Sequence, residues 1–122
     1  MAVNTADPLS SRPFYAVTTA AFSAATNLNT LVIAAYAALS PTQVIAPITA
    51  TELRVQFTST NGKDVLMGDA SLTTSNFGMR YTAGSSDKFG PFTKSGIPLS
   101  NIFVMSQDGA TGVTMSIMIL PM

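Results

Sequence analysis

The clearest periodicity in the chain is "TELRVQFTS", where Leu53, Val55 and Phe57 alternate with Glu52, Arg54, Gln56 and Thr58. A period of two predicts a strand with one face in the core and one in water. The stretch that follows, "TNGKD", contains the Asn-Gly pair that supplies positive φ at both centres of a tight hairpin turn, so "VLMG" is expected to begin the return strand. Near the C-terminus, Val113, Met115, Ile117 and Ile119 alternate with Thr114, Ser116, Met118 and Leu120. The second face of that strand turns apolar toward its end, and a strand apolar on both faces needs cover on both. That cover is either the chain's own core or another subunit.

Weaker patterns fill in the rest. "FYAVTTAAFSA", Phe14 to Ala24, mixes β-branched and aromatic residues as a strand does, and "LSNIFVMSQ" sets Ile102 and Val104 against Phe103 and Met105. "NLNTLVIAAYAALS" is ambiguous: Leu31, Ala34, Ala35 and Ala38 fit a helical face, whereas Leu31-Val32-Ile33 suits a buried strand, and Pro41 and Pro47 close the segment either way. "GMRYTAG" reads as a short strand, "SSDKFGPFTKSGIP" as a glycine- and proline-rich loop, and "DGATG" as a turn. Residues 1–13, small, polar and twice interrupted by proline, read as an extended arm. Short strands separated by turn signals predict an all-β domain over residues 14–122, an antiparallel β-sandwich or small β-barrel of jelly-roll type with an extended N-terminal arm.

Composition changes this picture mainly through charge. Only 10% of residues are charged while 47% are apolar, and six basic residues balance six acidic ones. Ordinary soluble domains carry about 25% charge, so this chain has little to keep it apart from its neighbours. It reads as a subunit packed against others. Arg12, Arg54, Lys63, Arg80, Lys88 and Lys94 never cluster, which leaves no phosphate-tracking stripe for nucleic acid and no polybasic patch for a membrane surface. The longest apolar run, Leu31 to Leu39, is about half of what a spanning helix needs. The N-terminus lacks the basic stretch and apolar stretch of a secretion signal.

Candidate chemistry is sparse. The sequence contains neither cysteine nor histidine, so thiolate sites, disulfides and the commonest general base are excluded together. Lys88 and Lys94 lie among serines, yet solvated loop lysines are the ordinary reading. Asp64, Asp69, Asp87 and Asp108 sit beside glycine, serine or lysine, where short carboxylates cap backbone amides, and Asp64 and Asp69 lack the spacing of a calcium loop. A glycan platform would have to use Tyr15, Tyr36 or Tyr81, there being no tryptophan. In "GDASLTTSNFGMRYTAG", Asp69, Thr74, Ser75 and Asn76 are expected to satisfy local backbone groups in a polar connection between short strands. No catalytic residue, cofactor or metal is expected.

The order "LRVQFTSTNGKDVLMGDASLTTSNFGMRYTAG" followed by "GIPLSNIFVMSQDGATGVTMSIMIL" resembles a β-domain that recurs in tailed-bacteriophage virion proteins, in head decoration, neck, tail and spike components. The likeness rests on the glycine closing the second strand at Gly68, the "TTSN" segment, the Ala83-Gly84 turn and the "PLSN" stretch before the penultimate strand. It covers slightly more than half the chain and departs from the pattern at Phe77 and Arg80. The resemblance implies a non-enzymatic virion structural protein, foremost a capsid decoration or cement protein on the outer capsid surface, a homotrimer bound to the major capsid protein. A neck, tail or baseplate component is the alternative within the virion, and a glycan-binding β-sandwich for host adsorption the alternative outside it. Neither nucleic acid nor membrane is an expected partner. The residues expected at subunit contacts are Val3, Pro8, Leu9 and Pro13 in the arm and Met118, Leu120 and Met122 at the end of the last strand.

Overall fold

A computed structural model describes residues 14–39, 47–59, 61–92 and 96–121. The expected arm, with Val3, Pro8, Leu9 and Pro13, lies outside the described residues, as do Lys94 and Met122. In chain order the elements are β1 (Tyr15–Thr18), β2 (Thr26–Asn27), α1 (Leu28–Leu39), β3 (Thr49–Ser59), β4 (Val65–Gly68), β5 (Met79–Tyr81), β6 (Ser86–Phe89), β7 (Ile97–Pro98), a 3-10 turn at Leu99–Asn101, β8 (Phe103–Ser106) and β9 (Thr114–Pro121).

Two antiparallel sheets form, one ordered β1-β9-β3-β6 with β7 beside the start of β3, the other ordered β2-β8-β4-β5. With the two-residue β7 set aside, the other strands pair as the nested arms of one folded-over hairpin: β1 with β9, β2 with β8, β3 with β6 and β4 with β5. Pairing of β3 with β9 and of β4 with β8 joins these ribbons into the two sheets. This is jelly-roll connectivity. Neither sheet closes on itself, so the fold is a sandwich and not the small barrel that the strand pattern equally allowed.

The core lies between the inward rows. Leu53, Val55 and Phe57 of β3 and Met115, Ile117 and Ile119 of β9 are all buried, as their alternation predicts. Phe57 stacks on Tyr81 of the opposite sheet with ring centroids 4.7 Å apart. A second, smaller cluster sits on the outward face of the other sheet, where Leu72, from the β4–β5 connection, covers Leu66, Met105 and the partly buried Phe103.

Segment 28–39 resolves as helix. Asn27 Oδ1 accepts the Thr30 N–H at 2.8 Å and caps it, and Leu28, Leu31, Val32, Ala35 and Tyr36 form the buried stripe of a 3.6-residue period. Tyr36 then settles an edge problem. Its hydroxyl accepts the Ala16 N–H at 2.8 Å and donates to the Ala16 carbonyl at 3.1 Å. Those groups belong to an edge strand, where open backbone invites unwanted pairing.

Three expectations are corrected. The Asn61-Gly62 turn has the positive φ values foreseen, 50° and 81°, but it does not close a hairpin. Strand β3 pairs with β9, β6 and β7, and β4 with β5 and β8, so the turn carries the chain from one sheet to the other. Turn geometry is local whereas the choice of partner is not, and the longer alternating strand β9 takes the place beside β3. Residues 86–89, read as loop, form edge strand β6, held to β3 in the register Leu53↔Phe89 to Gln56↔Ser86. Gly90 ends it at φ +103°, where a Cβ would meet the Thr51 carbonyl oxygen at 2.6 Å. The segment from Phe14 to Ala24 is a strand only over Tyr15–Thr18, after which the Thr19 N–H bonds Met115 O of β9 at 2.9 Å and Phe22 makes an isolated bridge to Val113, just before β9.

Candidate interaction surface

The outward face of the first sheet is where the exposed expected contact residues gather. Met118 and Leu120 project from β9 with 40% and 37% exposure, and Phe14, just before β1, is 48% exposed. The register lines Ala16, Met118, Arg54 and Lys88 up across the four strands as one row, and Thr18, Ser116, Gln56 and Ser86 as the next. A trough of about 1110 Å³ runs along these rows, and Ala34, Ala38 and Leu39 of α1 wall its β1 end.

The two ends of the trough differ in chemistry. At the α1 end the lining is small and apolar. Toward β6, Glu52 accepts the Arg54 Nε–H at 3.0 Å and lies 3.8 Å from Lys88 Nζ. One carboxylate thus serves two cations, and the cluster carries a net positive charge. Along the second row the hydroxyls satisfy one another, Thr18 Oγ1 lying 3.0 Å from Ser116 Oγ. On the other sheet Leu72 covers the outward cluster of Leu66, Met105 and Phe103, while Phe77 of the β4–β5 connection and Met79 of β5 stay exposed; on the first sheet Met118 and Leu120 stay exposed on β9.

The carboxylates are engaged structurally. Asp64 pairs with Arg80 at 2.6 Å. Asp69 accepts the Ser71 N–H at 2.9 Å and the Ser71 hydroxyl, bonds that hold its pKa below the ordinary value. Asp87 accepts the Tyr81 hydroxyl at 2.8 Å; burial first, and this bond second, push the Tyr81 phenol well above its usual range, so it stays protonated as a donor. In the β4–β5 connection the capping role expected of Thr74 falls to Thr73, whose Oγ1 accepts the Asn76 N–H at 3.0 Å, and Asn76 Nδ2 donates to the Ser71 carbonyl. The pockets and clusters of the described residues include no group of three or more metal-ligating side chains.

Asp108 is the most heavily bonded of these carboxylates. It accepts the Thr111 hydroxyl at 2.7 Å and the Thr111 and Ala110 N–H groups at 2.8 and 2.9 Å, which holds its pKa far below the ordinary value. A carboxylate depressed in the folded state stabilises the fold above its unfolded pKa, near 3.9, and loses that contribution as pH falls toward the folded value. Melting temperature is therefore expected to drop between about pH 4 and pH 2, and Asp108→Asn to lower it at neutral pH and flatten that acid slope. An unchanged slope in the variant, followed by thermal melts across the range, would contradict this role.

The tyrosines proposed as glycan platforms are core residues: Tyr15, Tyr36 and Tyr81 are 1%, 5% and 7% exposed. What sequence reasoning missed is the trough, because its wall comes from an ambiguous segment and its far side from residues read as loop. No helix among the described residues is long and apolar enough to cross a membrane. No family model, curated protein or solved structure matches this chain.

Proposed function

We propose that the chain is a non-enzymatic structural protein of a virion, a decoration or cement protein that sits as a homotrimer on the outer capsid surface and pins neighbouring capsid subunits. The observation that carries this reading is the outward face of the first sheet. Met118 and Leu120 stand exposed on one face of β9, Met118 lining the trough, while Leu72 covers the outward apolar cluster of the other sheet, and exposed apolar groups gathered on one face mark interaction sites. The low charge of the chain supports the same reading, as does the order of turn motifs it shares with tailed-phage virion domains. Burial of all three tyrosines weighs against the glycan-binding alternative. The mechanism is linkage: a protein that binds only the assembled shell stabilises that shell by mass action.

Capsids assembled without the protein are expected to take it up from solution and to melt at higher temperature once they have. A chain lacking residues 2–13 is expected to retain its folded β-domain by circular dichroism yet to co-sediment with capsids several-fold less. Absence of uptake by the intact protein would overturn the capsid reading; full uptake of the truncated one would remove the arm from it.

A further inference from the structure

We propose that the depression in the β4–β5 connection binds a neutral pyranose, with the Phe77 ring against the sugar's C–H face and Asp69 and Asn76 accepting from its hydroxyls. The site lies on the second sheet, away from the contact face proposed above, and does not depend on it.

The chain between Gly68 and Met79 crosses the outward face of the second sheet, where Leu72 seats on Leu66 and Met105. Beside that anchor the connection encloses a concavity of about 250 Å³, lined by Gly68, Asp69, Ser71, Asn76, Phe77 and Gly78. Sites for drug-sized ligands begin at roughly 300 Å³, so this one suits a single small ring. Glycine keeps its floor clear: a Cβ on Gly68 would stand 3.3 Å from Leu72 Cδ1 and 3.5 Å from the Gly78 nitrogen, in the space between strand and connection.

The polar half of the lining is fixed in advance. Asp69 Oδ1 accepts the Ser71 N–H at 2.9 Å and the Ser71 hydroxyl. Asn76 Nδ2 donates to the Ser71 carbonyl at 3.0 Å and to the Ser71 hydroxyl oxygen at 2.9 Å, while Thr73 Oγ1 holds the Asn76 backbone. Neither Asp69 Oδ2 nor Asn76 Oδ1 is the acceptor of any of these bonds, so both remain to accept from a ligand. A hydroxyl bonded to a carboxylate makes one of the stronger neutral-to-charged hydrogen bonds, and acceptors already locked in place lose little freedom on binding.

The apolar half is Phe77. Its ring is 40% exposed, although Leu72 of the same connection is buried. The negative face of an aromatic ring attracts weakly positive C–H groups, which a pyranose presents on one side of its ring while its hydroxyls point outward. A phenyl ring beside two hydrogen-bond acceptors matches that combination. Charge narrows the class: the Ser71 bonds hold the Asp69 carboxyl below its ordinary pKa and hence ionised, and no lysine or arginine among the described residues pairs with it, so acidic sugars are repelled. The tyrosines are in the core and the chain has no tryptophan, which leaves Phe77 as the exposed aromatic beside open acceptors.

The probes are the methyl glycosides of glucose, galactose, mannose and N-acetylglucosamine, with that of sialic acid as the acidic comparison, titrated into the full chain and followed by amide NMR. At least one neutral glycoside is expected to shift the amides of residues 68–78, with a dissociation constant on the order of 1 mM, as the ligand efficiency of so small a ring implies. Phe77→Ala is expected to keep its melting temperature and lose these shifts, and Asp69→Asn, which retains an oxygen for Ser71 but not the charge, to weaken them. No shift with any of the four neutral sugars, shifts confined to other residues, equal binding of the sialoside, or full binding by a folded Phe77→Ala chain would overturn the proposal. The chain carrying Met118→Asp and Leu120→Asp is expected to bind like the parent. No capsid enters this experiment, so it can fail while the capsid reading stands, and the reverse.

Discussion

Replacing Phe57 with alanine is expected to destabilise the domain by about 3–5 kcal/mol, through lost burial and the cavity left behind. In a chain of this size that lowers the melting temperature by roughly 10–20 °C. Phe57 is fully buried on β3 and stacked on Tyr81 of β5, whose hydroxyl in turn bonds Asp87 of β6. One side chain thereby joins the two sheets, and its removal also loosens the edge strand that borders the trough. Phe77→Ala serves as the contrast: its ring is 40% exposed, and surface changes of this kind fall within about 0.5 kcal/mol. Urea unfolding of both variants measures the difference, and a loss below about 1 kcal/mol at Phe57 would contradict the packing described.

The second large effect is on assembly. Met118→Asp with Leu120→Asp is expected to leave the monomer folded, since both side chains point outward from β9. In an interface, each new carboxylate would be desolvated without a partner, at a cost of several kcal/mol. The subunit dissociation constant should then rise by about 100-fold or more, which corresponds to about 2.7 kcal/mol. Sedimentation velocity over a concentration series reads this directly. An oligomer that persists in the double variant would show that the first sheet's outward face is not the contact.

Legibility in the sequence followed how local the deciding physics was. Strand β3 could be read because Leu53, Val55 and Phe57 meet a core while Arg54, Gln56 and Thr58 meet water, and that asymmetry is written at a period of two. The backbone of Asn61-Gly62 could be read for the same reason, but not its outcome, because the sheet that receives β4 is chosen by pairing with β8, far along the chain. Helix α1 stayed ambiguous since alanines occupy its exposed face and blur the contrast that marks an amphipathic helix. Strand β6 hid between Gly84 and Gly90 with two charges in four residues, a composition that edge strands share with loops. Residues in the two-residue strand β2 carry no periodicity at all.

The candidate surface was legible only in part. The apolar drift of the last strand pointed to Met118 and Leu120, which lie exposed on the outward face of β9. The trough beside them required three segments that no local pattern connects, α1, β3 and β6. Leu72 shows the converse: in a stretch dense with hydroxyls it reads as incidental, yet it shields the other sheet.

The central claim, a subunit seated on the outside of a capsid, is tested most directly by an electron-microscopy reconstruction of particles assembled with and without the protein. The account predicts added density the size of this jelly roll at threefold and quasi-threefold positions on the outer surface, with the first sheet's outward face turned to a neighbouring subunit. Density confined to a sixfold or twelvefold ring at a neck or tail, or no difference between the two particles, would contradict it.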